Sequence, residues 1–320
     1  MSQPIGGSRR RSVEAALMMT LLYGVATATA SAKELQRYIG EPVMTKSTIR
    51  IEHAGQTIEI GPRHLPLYIT GIEGNKLVAH VSTPRRESVK VLLDAAQVVE
   101  LPDAVEFFTR RITAHPEVGA HYEFRAVARS TTAGPSTDVV DDYTAALLKG
   151  RRSANTYADR GNVYFELGEL SKALGDFDEA IRQEPRVVDF QASRARALVR
   201  LGRFAEALRQ YDAAIRLDPE SAYLHNDCAW LLAACPDAAV RNGKRAVRLA
   251  LEACELADWQ DSFMLDTLAA SYAETGDFET AIAMLEKGLE DFGDAGPEGM
   301  RARLELYRSG KPYREPLPKK

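Results

Sequence analysis

The residues that could carry out chemistry are scattered along this 320-residue chain rather than gathered. Six histidines (His53, His64, His80, His115, His121, His225) show no ligand spacing, and Cys228, Cys235 and Cys254 form no C-x-x-C pair for a metal or redox site. Asp141-Asp142 and Asp176/Asp178 lie on predicted helices with arginines nearby and read as solvated charge. No H-E-x-x-H, G-x-S-x-G, phosphate-cradling loop or dinucleotide fingerprint occurs. The chemistry that remains is recognition. Asn155, Asp159, Asn162 and Glu166, then Arg196 and Arg200, then Tyr223, Asn226 and Trp230 fall at inward-facing positions of successive predicted helices. Cations, amides and aromatics along one groove suit an extended peptide, which offers carbonyls, carboxylates and apolar side chains. The alternative is a solvated polar face, with Trp230 in the core. The reading is therefore a non-enzymatic protein with no cofactor, no metal and a protein or peptide partner.

The elements that must position these residues repeat. Gly161, Tyr164, Gly168, Leu170, Ala173, Phe177, Ala180 and Pro185 recur 34 positions later as Ala195, Leu198, Gly202, Phe204, Ala207, Tyr211, Ala214 and Pro219. Small residues fall where two helices approach closely, and large ones fill the space between pairs. Gly168 and Gly202 close a first helix; Pro185 and Pro219 end a second, which proline cannot continue. This pattern resembles the tetratricopeptide repeat (TPR), a helix–turn–helix unit of that period. A degenerate repeat precedes it at 119–153, with Ala126, Tyr143 and Ala146 in phase and Arg151 in place of the proline. A fourth follows in which Ala269 comes 40 after Ala229, the extra residues lying in 235–243. A final repeat runs through Asp266–Glu274 to Ala281 and Leu285, and a helix over 297–307 caps the end with Leu304, Leu306 and Tyr307.

The resemblance implies a mainly α fold: a TPR α-solenoid of about four repeats, with a leading half-repeat over 102–118 and the capping helix. Its concave face is built by the first helix of each pair. Repeat proteins that clamp a chaperone's terminal carboxylates set Lys and Asn at fixed groove positions; here position five is Ala158 and Ala192 and position two is Asn155 and Asp189, so the clamp pattern is absent.

Before the helices lies a small module over 33–101, in which the pattern from Thr48 to Leu101 alternates with a two-residue period. Strands are expected at 48–52 and 57–60 around Gly55-Gln56, at 67–69 and 77–81 around Gly74-Asn75, and at 89–92 and 97–100 around a tight helical turn at 93–96. Five or six short strands suit a small barrel. A strand, one helical turn and a last short strand look like an SH3-type barrel, although Tyr68 as the lone Phe, Trp or Tyr between Thr48 and Leu101 argues against a polyproline groove.

Arg9-Arg10-Arg11, the apolar run Ala15–Ala28 and Ala30-Ser31-Ala32 make residues 1–32 read as a signal peptide cleaved before Lys33. An uncleaved anchor and a buried helix are the alternatives. Loss of three Arg and one Glu would move the net charge from -4 to -6, which gives no pull toward nucleic acid. No later stretch is long and apolar enough to span a bilayer. An exported location, periplasmic or secreted, follows. Buried free thiols are the preferred state of the three cysteines. The domain plan is 1–32 signal, 33–101 SH3-like module, 102–118 joining helix, 119–308 array and cap, and 309–320 a loose Pro/Lys-rich tail. This order is similar to bacterial exported proteins that join a signal peptide, a small β domain and a repeat array. The function expected is a scaffold outside the cytoplasm; a cytoplasmic adaptor or assembly factor is the alternative if 1–32 is not a signal.

Overall fold

The computed structural model describes residues 35–36, 42–47, 49–53, 56–60, 67–73, 76–82, 88–292 and 296–318. The expected signal peptide and the turns at Gly55 and Gly74-Asn75 lie outside these residues. The chain divides into two compact units, residues 1–104 and 105–320.

In the first unit, strands β1 (Pro42–Thr45), β4 (Leu67–Glu73), β5 (Lys76–Ser82), β6 (Ser88–Leu93) and β7 (Val98–Glu100) form an antiparallel sheet in the order β6-β5-β4-β1-β7. Strands β2 (Ile49–His53) and β3 (Gln56–Ile60) pair separately as a hairpin, in which Gln56, expected in the turn, pairs with His53. Alternation explains the core: Leu67 and Ile69 are buried while Tyr68 and Thr70 are exposed. They pack with Leu35, Val43, Leu77, Ala79, Val91, Leu93 and Val98. Sequence reading missed β1, which lies centrally between β4 and β7. Its Val43, Met44 and Thr45 are all fully buried, so it presents no alternation to detect. The expected helical turn is a 3-10 turn at Ala95–Gln97, closed by the Gln97 side chain accepting from the Asp94 N–H at 2.9 Å. Among the described residues no β6–β7 pairing closes the sheet into a hydrogen-bonded barrel.

In the second unit the helices follow one another as hairpins. Helix α1 (Leu101–Ala114) straddles the division between the units, and its Phe108 ring meets Phe124 edge-on at 5.5 Å. Five hairpins follow: α2 (Gly119–Ala133) with α3 (Thr137–Leu148), α4 (Ala154–Glu166) with α5 (Leu170–Gln183), α6 (Val188–Arg200) with α7 (Phe204–Leu217), α8 (Ala222–Ala234) with α9 (Gly243–Leu256), and α10 (Ser262–Thr275) with α11 (Phe278–Glu290). These are the repeats enumerated from the sequence, the degenerate one over 119–153 included. Helix α12 (Glu298–Arg308) caps the array with Met300, Leu304 and Tyr307 buried and Leu306 partly so. Among the described residues no helix is long and apolar enough to cross a membrane.

The small and large positions act as the repeat requires. Ala173, Ala180, Ala195, Ala207 and Ala214 are fully buried beside Phe177 and Tyr211. Gly168 and Gly202 adopt φ of 78° and 73°, a left-handed turn that ends each first helix without a Cβ penalty. In the fourth hairpin, eight residues replace the three-residue link of the preceding hairpins. Arg241 holds this longer link, donating to the Cys235 carbonyl at 2.8 Å and to Glu274 of α10 at 3.1 Å.

Two expectations need correction. Asp142 and Asp176, read as solvated, are buried. Arg125 grips Asp142 through two nitrogens at 2.6 and 2.9 Å and reaches Thr109 of α1 at 3.3 Å. Arg160 grips Asp176 at 2.7 and 2.8 Å and reaches Thr144 of α3 at 3.0 Å. Arg194 likewise spans Asp178 of α5 and Gln210 of α7, although Asp178 is exposed. One arginine per first helix thus ties its own second helix to the preceding one. The ladder ends where Cys228 takes the place 34 after Arg194. Arg151, the proline substitute, similarly pairs with buried Glu123, which also accepts from Thr156 at 3.0 Å.

The second correction concerns residues 309–318, expected to be loose. They turn at Gly310 (φ 68°) and run back to α8, where the Glu315 N–H donates to the Ala234 carbonyl at 2.8 Å.

The three cysteines are free and buried. Burial pushes the Cys228 thiol up to about 12 and Cys254 up to about 11, so no more than about one such thiol in a thousand is thiolate at about pH 8. Iodoacetamide should leave Cys228 and Cys254 unmodified in the folded chain and alkylate both in denaturant. Fast native alkylation, read by peptide mass spectrometry, would show that α8 and α9 are not packed as described.

Candidate partner-binding groove

The first helices of the last hairpins present one face to a common cavity of about 820 Å³. Helical spacing places its lining: Arg196 and Arg200 are one turn apart on α6, as are Asn226 and Trp230 on α8, and Phe263 and Asp266 share a face of α10. Phe165 closes it from α4 and Arg303 from α12. The shifted register of the last repeat sets Phe263 and Asp266 in phase 40 after Tyr223 and Asn226.

The Arg200 guanidinium stacks 4.7 Å from the Phe165 ring centre and donates to the Phe165 carbonyl at 3.1 Å. Arg196 donates to Ser193 Oγ at 3.2 Å. Arg303 holds Asp266 through two nitrogens, one at 2.8 Å, and lies about equally close to the Trp230 and Tyr313 rings, at 5.1 and 5.2 Å. Burial pushes the Asp227 and Asp266 carboxyls upward against the pull of Arg196 and Arg303 respectively. Asn226 Oδ1 is buried without a hydrogen-bond partner, although its side chain also contacts Asp227. The cavity therefore offers cations for carboxylates, an amide for backbone and flat rings for apolar side chains. Among the described residues no group of His, Cys, Asp and Glu is placed to hold a metal ion.

Of the residues read from sequence, Arg196, Arg200, Asn226 and Trp230 line this cavity. Trp230 is half-buried, lining the groove while packing against the core, and its Nε1–H donates to Glu315 at 3.1 Å. Asp159, Asn162 and Glu166 line a separate hollow of about 240 Å³ with Ser130, Pro135, Tyr143 and Val163. Asn155 and Tyr223 line neither, and Tyr223 is exposed. One continuous groove was expected; among the described residues seven of the nine candidates line two separate hollows. Sequence reasoning missed Phe165, Asp227, Phe263, Asp266 and Arg303. The 40-residue shift would have yielded Phe263 and Asp266. Nothing in the spacing pointed to Arg303 or to Glu315, Pro316 and Pro318, which form one wall.

Tetratricopeptide repeat family models match residues 158–222 and 266–287. No curated protein matches the chain. Among solved structures, the chain is similar to a tetratricopeptide repeat protein from Parabacteroides merdae, at 19% identity and TM-score 0.54, covering 66% of this chain and 81% of that one. It is similar to a chain of the APC/C hetero-tetramer Cut9-Hcn1 at 12% identity and TM-score 0.53, over 66% of this chain and 40% of the other. YrrB, a TPR protein with an unusual peptide-binding site, shares 21% identity at TM-score 0.49, over 63% of this chain and 99% of YrrB. The first two likenesses bear on fold alone. Together with the repeat matches and the hairpin geometry, they make the helical part of this chain a tetratricopeptide-repeat solenoid preceded by a small antiparallel β sheet.

Proposed function

We propose that this protein is a non-enzymatic interaction scaffold that holds an extended peptide or protein partner in the groove of its solenoid, outside the cytoplasm. The observation that carries the reading is the 820 Å³ cavity lined by Arg196, Arg200, Asn226, Trp230 and Phe263. Solenoids recognise partners on such concave surfaces, and function resides in the site rather than the fold. Export rests on the charged, apolar and small-residue order of 1–32, and the plan of β module, joining helix, array and C-terminal segment is kept from the sequence. An SH3-like identity for the β module is supported by its ending: strand β6, the 3-10 turn, then β7.

Panning a peptide display library against the full chain tests the groove. Enriched peptides should bind Arg200→Glu at least about tenfold more weakly, a loss of about 1.4 kcal/mol. Equal binding to both proteins removes the groove from the reading. Sequencing the N-terminus of the protein made in a bacterial host should return Lys33; an intact Met1 in the cytoplasm would favour an adaptor instead.

A further inference from the structure

The segment that follows α12 behaves as a bound peptide. Pro312–Pro318 has no helix or strand of its own, and its contacts are of the kind a separate chain could make. The Tyr313 ring lies 5.8 Å from that of Trp230, and Arg303 sits near both rings. The Glu315 carboxylate accepts from the Trp230 indole at 3.1 Å, while its backbone N–H bonds the Ala234 carbonyl at the end of α8. Arg314 pairs with Glu274 at the end of α10. Pro316 and Pro318 bias the residues before them toward extended backbone, which lowers the ordering cost of such a seat. The segment lines the same cavity as Phe165 and Arg200, its Pro318 reaching the α6–α7 turn, where a Cβ built on Gly202 would lie 3.7 Å from it.

We propose that residues 312–318 are a built-in competitor for the groove, and that its partner is an extended, proline-containing peptide with an aromatic residue two positions before a carboxylate. This rests on the groove reading above. Trp230 and Arg303 select the aromatic ring, the indole N–H selects the carboxylate, and the Ala234 carbonyl fixes the strand direction. A tethered segment acts at an effective concentration in the millimolar range, so a peptide in trans binds the intact chain weakly until the segment leaves.

The test uses a fluorescein-labelled synthetic peptide of residues 309–318 and three full-length proteins, read by polarisation. Tyr313→Ala/Glu315→Ala, which loosens the internal segment, should bind the peptide at least about tenfold more tightly than the unaltered chain. Adding Trp230→Leu to that variant should abolish the gain. Equal binding by the first two proteins, or a gain that survives Trp230→Leu, overturns the proposal. Should the loosened variant fail to fold, hydrogen exchange at the Glu315 amide of the unaltered chain decides. Excess unlabelled peptide should accelerate it, and unchanged exchange under saturating peptide is the contrary result. Panned peptides that depend on Arg200 while the Glu315 amide stays protected would leave the groove reading standing and sink this one. Segment peptide bound at Trp230 with no Arg200 dependence among panned peptides would support this proposal and confine the failure to Arg200's assigned role.

Discussion

Asp176→Ala is expected to lower the unfolding free energy by about 3–5 kcal/mol, the cost of breaking a buried ion pair from one side. The Asp176 side chain is 7% exposed and that of Arg160 17%, so water screens the pair little. Removing the carboxylate leaves a guanidinium between α3, α4 and α5 whose hydrogen bond to Thr144, at 3.0 Å, is the one left among the described residues. Arg160→Leu/Asp176→Leu should cost less than the single change, because both charges and both desolvation penalties go together. Denaturant midpoints of the three variants check the ordering. A single-variant loss under about 1 kcal/mol would show that the pair is hydrated as a surface bridge is.

Phe177→Ala should cost about 3–5 kcal/mol, the range for emptying an aromatic site in a closed core. The Phe177 ring is fully buried, and it lies so close to α4 that a Cβ built on Gly161 would come within 2.8 Å of it. Backbone and ring are already in contact, so truncation opens a void between the two helices. Because each repeat touches only its neighbours, the loss should open the second hairpin first, with exchange of α4 and α5 amides rising before that of α10 and α11. A loss under about 1 kcal/mol would mean that the two helices are not packed in this register.

Much of this was legible because repetition puts structure into spacing. A glycine 34 before an alanine, or a phenylalanine 34 before a tyrosine, reports one helix–helix contact twice, and the agreement fixes phase without any tertiary information. The arginine ladder was present in the same spacing. Arg160 and Arg194 lie 34 apart and Arg125 lies 35 before Arg160. Its meaning was hidden because a charged residue on a helix gives no sign of burial when its partner sits on another helix. Asp142 and Asp176 were therefore read as solvated, whereas each meets its arginine 16 or 17 residues away across a hairpin. Strand β1 escaped for a related reason: a short run buried on both faces lacks the alternation that marked β4.

By itself the sequence determined the helix–turn–helix period, the helix ends at Gly168, Gly202, Pro185 and Pro219, the change to two-residue alternation before residue 101, and four of the residues that line the main cavity. These are local or periodic properties, set by backbone conformation and by which side of a helix a residue occupies. Tertiary structure alone decided that Asp159, Asn162 and Glu166 line a different hollow from Arg196, Arg200, Asn226 and Trp230, that Arg303 joins Trp230, and that residues 312–318 lie in the groove. Those outcomes depend on contacts between residues more than 70 positions apart, such as Trp230 with Tyr313 and Glu315. No period links such residues, and only the winding of the solenoid brings them together.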